Sequence, residues 1–374
     1  MAAVLTLALL AGGGLALAWA IYPLVIHGLA TLARNAGPAA QAPAPSVTVV
    51  VATREDSGVV AARIANLLSS DYPADLLSVV VALDWASGLQ PHAPRVHDPR
   101  VRIIVGDQPG GKAASLNAAV REATGDLLVF TDSHQQFAPD SIGALVAALA
   151  DARFGAVSGQ LELPEGKRRS LLEHYWRFER RLRRDEAKLH SAVGVSGSIY
   201  AMRRALWHPL PAGLILDDLY VPMRLVLEGH RVGFTAAAKA YDSRRSQVET
   251  EFHRKVRTLT GNFQLCAWMP GVLLPWRNPI WLQFVLHKLF RLLTPWLALV
   301  FALSIAILAW SAWGPIVLVV AAGAALLMWL LALLLGMSGR LMAYLRWFGT
   351  MQAAIAVATV NGITGRWNVW SRKS

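Results

Sequence analysis

Long apolar runs bracket this chain and short ones punctuate its middle. Ala2 to Ile26 holds no charged side chain, and a helix needs about 20 such residues to cross a hydrocarbon core of roughly 30 Å. Leu292 to Trp313 and Pro315 to Met337 are two further uncharged runs, and the Gly314-Pro315 step between them predicts a transmembrane hairpin. One Arg, Lys or Asp at the centre of such a helix costs about 2.5–3.5 kcal/mol on insertion scales, so uninterrupted runs are informative. Leu341 to Val360 differs, because it carries Arg346 and Gln352 and leads into Arg366, Arg372 and Lys373. As a full span it would place that basic tail opposite Arg340 and Arg346, against the positive-inside rule, so an interfacial helix is expected.

In the middle the runs shorten and alternate in period. Val47 to Ala52, Ser78 to Leu83, Val101 to Val105 and Leu127 to Thr131 read as strands, while Gly58 to Leu68 and Lys112 to Ala123 read as helices. Near-continuous Val, Ile and Leu strands alternating with helices predict a mainly parallel sheet covered on both faces. The Ala- and Pro-rich stretch Gly37 to Pro45 cannot hold a regular helix and is expected to link the first span to this region. Between Lys167 and His190 a helix is predicted with Leu172, Tyr175, Trp176, Leu182 and Leu189 as its apolar stripe. A surface or interfacial helix is the simpler expectation there, and acceptor or phosphate binding by its many Arg and Lys the sharper one. Trp268, Trp276 and Trp281, interleaved with Pro270, Pro275 and Pro279, predict an interfacial segment, since indoles favour headgroup depth.

Ala16-Leu17-Ala18 and Ala18-Trp19-Ala20 imitate a signal-peptidase site. No Lys or Arg precedes the apolar run, however, and the run continues past both triplets, so a retained helix is expected rather than a cleaved leader. Arg34 follows the first span, and Lys288 and Arg291 precede the second, which puts the middle region in the cytoplasm. The 374 residues carry 36 Lys and Arg against 24 Asp and Glu, a net charge of +12. Basic side chains gathered beside anionic membrane lipid explain that excess better than nucleic acid does, and no nucleic-acid partner is expected. Cys266 is the sole cysteine, which excludes an intrachain disulfide and a CxxC metal site and leaves it as a small buried apolar residue.

Acidic residues recur at Glu55, Asp84, Asp132 and the Asp217-Asp218 pair. Asp84 and Asp132 each terminate a predicted strand, and in an open α/β sheet ligands sit beyond the carboxyl ends of strands. Acids in that crevice suggest a metal-bound, phosphate-bearing ligand. Gly106 to Lys112 follows a strand and opens a helix as a P-loop does, but Ala113 stands where a P-loop needs a hydroxyl for Mg²⁺. Lys112 is left to approach a phosphate or a carboxylate.

Taken in order, these segments resemble the family 2 glycosyltransferases, particularly membrane-embedded synthases similar to cellulose and hyaluronan synthases. The resemblance runs from Val47 to about Gln264. Val51-Ala-Thr-Arg-Glu55 stands where the family's first strand ends in Asn-Glu, so Glu55 matches and Arg54 departs. Gly110-Gly-Lys-Ala-Ala-Ser-Leu-Asn117 is similar to the family's Lys-Ala-x-x-Leu-Asn helix start, and Asp132-Ser133-His134 to its Asp-x-Asp motif. Gly194 to Arg204 is similar to a small-residue turn before paired arginines, and Leu216-Asp217-Asp218 to the Thr-Glu-Asp segment. Arg254-Lys-Val-Arg257-Thr258 lies where processive members have Gln-x-x-Arg-Trp.

The resemblance implies a GT-A, Rossmann-like α/β fold: a mixed, mainly parallel sheet with helices on both faces, plus transmembrane and interfacial α-helices. It implies an organisation of 1–33 spanning helix, 34–45 linker, 46–265 cytoplasmic glycosyltransferase domain, 266–291 interfacial helices, 292–337 transmembrane hairpin and 338–374 interfacial or transmembrane helix with a basic tail. Thr53, Glu55, Asp84, Lys112, Asp132, Arg254 and Arg257 are then expected to bind a nucleotide-sugar donor, a UDP-sugar by resemblance. Asp132 and His134 are the expected ligands of Mg²⁺ or Mn²⁺. Imidazole suits Mn²⁺ better than oxygen-preferring Mg²⁺, and a hydrogen bond from His134 to phosphate, water or Asp132 is the rival reading.

Asp218 takes the place of the catalytic base, with Asp217 beside it; the alternative is that both merely cap a helix from Leu219 to Glu228. Thr258 in the Trp position removes a ring on which a growing sugar chain could rest. The implied function is inverting transfer from the donor to a growing polysaccharide or a lipid-linked acceptor, in a protein integral to a bacterial inner or cell membrane. Single-sugar transfer to a lipid carrier and a catalytically silent nucleotide-binding scaffold are the alternatives. So few spans call for a transporter partner or a homo-oligomer if product is to cross the membrane.

Overall fold

Valine and leucine dominate the strands that build the centre of the molecule: β1 (Val47–Thr53), β2 (Leu77–Leu83), β3 (Val101–Val105) and β4 (Leu127–Thr131). In the computed structural model, which describes residues 1–33, 43–88, 96–162, 171–242, 248–334 and 338–369, these four pair in parallel in the order β3-β2-β1-β4. Four more strands extend the sheet: β5 (Gln135–Phe137), β6 (Phe154–Glu162), β7 (Tyr200–Arg203) and β8 (Arg231–Asp242). The full order is β3-β2-β1-β4-β7-β6-β8-β5. β7 runs antiparallel to both β4 and β6, β8 runs parallel to β6, and β5 is antiparallel to β8. The sheet is therefore mixed, with its parallel half at the N-terminal side of the sequence.

Residues alternate between the faces of a strand, and both faces of β1 are buried, Val49 and Val51 on one and Thr48 and Val50 on the other. Helix α3 (Ser57–Leu68) and helix α5 (Ser141–Leu149) pack Val60, Ile64, Leu67, Ile142 and Leu145 onto the Val49 face. Helix α4 (Lys112–Glu122) packs against β1, β2 and β3. Asp56 starts α3 as a capping residue, its Oδ1 accepting from the Val59 amide at 3.0 Å. Where the chain re-enters the sheet before β4, Gly125 approaches Thr48 so closely that a Cβ would stand 2.5 Å from the Thr48 amide nitrogen. That neighbour is backbone in a central strand and cannot give way. Gly125→Ala is expected to cost about 1–3 kcal/mol, read as a lowered thermal unfolding midpoint of the purified protein; an unchanged midpoint would show that the β1–β4 edge yields.

The register sets the site. Thr53 pairs with Leu83, and Val51 with Thr131, so β1, β2 and β4 end at one edge. Their next residues, Arg54 and Glu55, Asp84, and Asp132, emerge there together. Because β7 is antiparallel to β4 with Phe130 opposite Tyr200, the residues that lead into β7 arrive at the same edge.

The chain divides into two compact units. The sheet unit comprises Ile26–Ser246 and Gln264–Gln283, and the other comprises Met1–Val25, Gln247–Phe263 and Phe284–Ser374. Helix α1 (Ala2–Ala16), a π-helical turn at Leu17–Ile21 and helix α2 (Tyr22–Leu32) form one continuous apolar rod. At about 1.5 Å per residue its 31 residues exceed a hydrocarbon core. Among the described residues three helical stretches are long and apolar enough to cross a membrane: Ala2–Leu32, Trp281–Trp313 and Ile316–Leu334. The second starts with a short helix α9 (Trp281–Phe284) and continues into α10 (Thr294–Trp313); the third is α11 (Ile316–Leu334). Helix α12 (Ser338–Ile363) is continuous over 26 residues and falls outside that group.

Three sequence expectations change in detail. Most of the Gly37–Pro45 linker lies outside the described residues, as do the first residues of the helix expected from Lys167. That helix, α6 (Leu171–Leu189), turns Glu179, Leu182, Asp185, Glu186 and Ala187 inward, whereas Tyr175 and Trp176 are only partly buried. The inward acids have partners, as with Asp185, whose Oδ2 lies 2.7 Å from Nδ1 of His27, and an apolar-stripe reading cannot register such pairing. Helix α7 (Asp217–Leu227) begins two residues before the expected Leu219. Cys266, on helix α8 (Val248–Trp268), is partly buried, and burial pushes its thiol up to about 11, as fits a structural cysteine.

Candidate active site

Gly110 and Gly111 have φ of +93° and +96°, a conformation disfavoured for side-chain-bearing residues, and their turn delivers Lys112 to the first position of α4. The Lys112 ammonium lies 3.2 Å from Oδ1 of Asp132 and 3.3 Å from Oδ1 of Asp217. It therefore bridges the end of β4 and the start of α7. Burial alone would lower its proton affinity, but the charges of Asp132, Asp217 and Asp218 together outweigh burial and raise it above the usual lysine value. Lys112 is a fixed cation at neutral pH.

The two adjacent acids are differentiated by their surroundings. Asp217 is buried and faces Lys112, while Asp218 is half-buried. Asp218 packs on the Gly194–Ser198 turn: its backbone oxygen accepts from the Val195 amide at 2.9 Å, and a Cβ at Gly197 would lie 3.4 Å from its Oδ2. The residue before the helix is Leu216, with no capping side chain, so Asp217 and Asp218 occupy the first turn and not the cap. Ser198, two residues before β7, donates its hydroxyl to Oδ2 of Asp132 at 3.1 Å. One short turn thus touches both Asp132 and Asp218.

The floor of this cluster is aromatic. Tyr200 stacks on Phe130 at 4.7 Å between ring centroids, and Phe130 on Trp207 at 5.2 Å. Burial, reinforced by Asp217, Asp218 and Asp132, pushes the Tyr200 phenol well above its usual value, so it stays protonated. Asn117, the last residue of the helix-start motif, holds the segment leading to α7 through paired bonds with Leu210, 2.9 Å to its oxygen and 2.8 Å from its amide.

On the β1 side, the Thr53 hydroxyl accepts from Ser133 at 2.6 Å and from the Glu55 amide at 3.0 Å. Glu55 Oε1 lies 3.0 Å from Nε2 of His134. Asp84 is 2% exposed; its Oδ1 accepts from the amides of Ala86 (3.1 Å) and Gly111 (2.8 Å), and its Oδ2 from Nε of Arg54. Thr53, Glu55, Asp84, Lys112, Asp132, His134, Asp217 and Asp218 are accordingly gathered at one sheet edge within one unit. Arg254 and Arg257 lie on α8 in the other unit.

Three residues that support this edge have no counterpart among the sequence expectations. Ser198 is one, and it sits inside the small-residue turn already singled out. The others are Arg63 and Asn66 on α3, which contact Thr131 and Phe137 on either side of Asp132-Ser133-His134. Burial lowers the Arg63 pKa to about 9 while the charge of Asp132 acts the other way, so the guanidinium is still charged at neutral pH. Its signal in the sequence is position: Arg63 follows Val60 by three on the apolar face of α3.

Among the described residues no three His, Cys, Asp or Glu side chains form a ready-made metal cage. The donor set nevertheless fits an ion that arrives with a phosphate ligand, because Mg²⁺-type sites use one or two carboxylates and complete their shell with phosphate and water. Asp132 is one-third exposed at the side chain and already holds a cation, the Lys112 ammonium, against Oδ1.

Residues 48–208 match the family model described as Glycosyl transferase family 2. These residues form a family 2 glycosyltransferase domain. Among curated relatives, an N-acetylglucosaminyltransferase of Rhizobium meliloti (strain 1021) is 34% identical over 132 residues, 34% of this chain and 30% of the relative. One of Bradyrhizobium elkanii is 37% identical over 122 residues, 31% of this chain and 66% of the relative. The chain thus spans less than two thirds of these relatives' length. A beta-monoglucosyldiacylglycerol synthase of Synechocystis sp. is 23% identical over 246 residues, covering 61% of this chain and 50% of the relative. In three dimensions the chain is similar to a mannosyltransferase, PcManGT, of Pyrobaculum calidifontis, solved in complex with GDP-Man and Mn²⁺. The TM-score is 0.69 at 23% identity, over 98% of this chain and 99% of that one. The glycosyltransferase domain therefore has the GT-A arrangement expected from the sequence.

Proposed function

We propose that the protein is a membrane-bound, inverting glycosyltransferase that moves a sugar from a nucleotide-sugar donor to a polysaccharide or glycolipid acceptor at the cytoplasmic face of a bacterial inner membrane. The observation that carries this is the convergence of Asp132, Lys112, Asp217 and Asp218 at the carboxyl edge of β1 and β4. Sugar transfer needs three things there: charge stabilisation for a leaving diphosphate, a base for a weakly nucleophilic hydroxyl, and a fixed geometry between them.

Asp218 is the base. It is half-buried and packs closely on Gly197, and its neighbour Asp217 is tied to Lys112. The acceptor oxygen forms the new bond at the anomeric carbon as the bond to the diphosphate oxygen breaks. Its proton passes to the Asp218 carboxylate, and the diphosphate leaves with the electron pair, inverting the centre. Lys112 turns from the carboxylates toward that developing charge, and Arg254 and Arg257 are assigned to the diphosphate by their motif position. Thr53, Glu55 and Asp84 shape the nucleotide side of the donor site. Asp132, with His134, would hold a divalent cation, Mg²⁺ or Mn²⁺, which supplies Lewis-acid neutralisation of the diphosphate when bound. The Mn²⁺ and GDP-Man held by the Pyrobaculum enzyme support a cation and a nucleotide sugar as a class; the family resemblance supports a UDP-sugar.

A second reading, transfer of one sugar to a lipid, is favoured by Thr258 in place of the family's Trp and by the likeness to a glycolipid synthase. Polymer export through the three candidate spans found among the described residues would need a transporter partner or a homo-oligomer. Nucleoside diphosphate release from a panel of nucleotide sugars, in membrane extract with Mg²⁺ or Mn²⁺, tests the reading, with product length from one labelled donor separating polymer from single transfer. Donor-specific release is expected. Nucleotide binding without release from any donor would overturn it in favour of a silent scaffold.

A further inference from the structure

Arg63 is 3% exposed and lies on the apolar face of α3, between Val60 and Leu67. A guanidinium in that place is costly, and among the described residues its Nε has no hydrogen-bond partner. Its contacts are Asn66 on the same helix and two residues that flank the Asp132-Ser133-His134 turn. One terminal nitrogen donates to the Thr131 hydroxyl at 2.7 Å, the other to Oδ1 of Asn66, and the guanidinium lies 4.3 Å over the Phe137 ring. Asn66 in turn donates from Nδ2 to the Phe137 oxygen at 3.1 Å and accepts from the Phe137 amide at 2.9 Å. Thr131 is the residue before Asp132, and Phe137 is the third after His134. The Thr131 hydroxyl also donates to the Ser198 oxygen at 2.9 Å, and Ser198 bonds Asp132.

We propose that Arg63 and Asn66 form a clasp beneath the Asp132-Ser133-His134 turn, grasping the chain at Thr131 and Phe137 so that Asp132 and His134 are held in the geometry that receives a cation–diphosphate ligand. Both are positioning residues, since neither reaches the ligand edge. The proposal rests on the donor reading above. A leucine at 63 would pack on the same apolar face without the desolvation cost, so the charged group is explained by what it holds. The two-point grip also accounts for the Asn66 side chain, which pairs with a strand residue across 71 positions.

The test is Mn²⁺ binding by the full-length protein in detergent, followed by the free-Mn²⁺ EPR signal in the presence of UDP or GDP, well below each variant's unfolding temperature. Arg63→Met and Asn66→Ala are each expected to weaken nucleotide-dependent Mn²⁺ binding by about 10–100-fold, as loss of outer-shell support does at metal sites. Nucleotide binding in EDTA is expected to stay near wild type, and Arg63→Lys to recover part of the loss. Folded variants with wild-type Mn²⁺ affinity would overturn the clasp. Should Arg63→Met fail to fold, Asn66→Ala decides, because Asn66 is only half-buried. A wild-type protein whose nucleotide binding ignores Mn²⁺ would instead overturn the donor reading, and the clasp with it.

Discussion

Asp218→Asn is expected to lower turnover by about 10²–10⁴-fold, the contribution typical of a positioned general base. At about 1.4 kcal/mol per factor of ten this is a barrier increase of roughly 3–5 kcal/mol. The substitution is nearly isosteric, and the bond that fixes the residue, from the Val195 amide to the Asp218 backbone oxygen, survives it. Asp217 also keeps its Lys112 partner. Fold and donor affinity should therefore be preserved while the acceptor loses its proton sink. Steady-state release of nucleoside diphosphate, with kcat and donor KM determined separately, makes the distinction. A large fall in kcat with little change in donor KM is the expected pattern. A rise in donor KM with kcat retained would place Asp218 on the donor instead, and an unchanged rate would move the base elsewhere.

The parallel half of the sheet was legible because strands buried on both faces leave uninterrupted runs, and Leu127–Thr131 matches its expectation to the residue. The other half left no such trace. β8 is alanine-rich, partly exposed along its length and paired on two sides with register shifts at β6, so no period of two emerges from its sequence. α6 misleads in the same manner, since pairing Asp185 with His27 joins positions 158 apart. At the site, acids at strand ends were readable, whereas their partners were not. Asp84 is saturated by Gly111 and Arg54, and Lys112 was open to either phosphate or carboxylate until the structure placed it between two carboxylates. Motifs reveal which residues meet a ligand more readily than which residues hold them, and Arg63 is the clearest case, visible only as a charge on an apolar face.

Lys112→Met tests the electrostatic centre, and its effects should be pH-dependent in a definite direction. In the wild type the ammonium balances Asp132 and Asp217, and its proton affinity lies above the usual value of 10.5. The ammonium itself stays charged throughout pH 4 to 8 and is lost only at higher pH, so any pH dependence of its contribution in that range comes from its carboxylate partners. The variant removes the ammonium that lies between the two carboxylates. Breaking a buried pair costs about 3–5 kcal/mol; with Lys112 27% and Asp132 33% exposed, solvent screening reduces this to about 1–2 kcal/mol. Acid relieves that cost by protonating carboxylates. The thermal midpoint of the variant should thus fall furthest below wild type at pH 7–8, and the gap should close toward pH 4. Turnover should fall by about 10²-fold or more if, as proposed above, Lys112 supplies positive charge to the leaving diphosphate. Lys112→Arg keeps the charge and should narrow the stability gap at every pH. A midpoint gap independent of pH would show that Lys112 contributes packing alone and not charge.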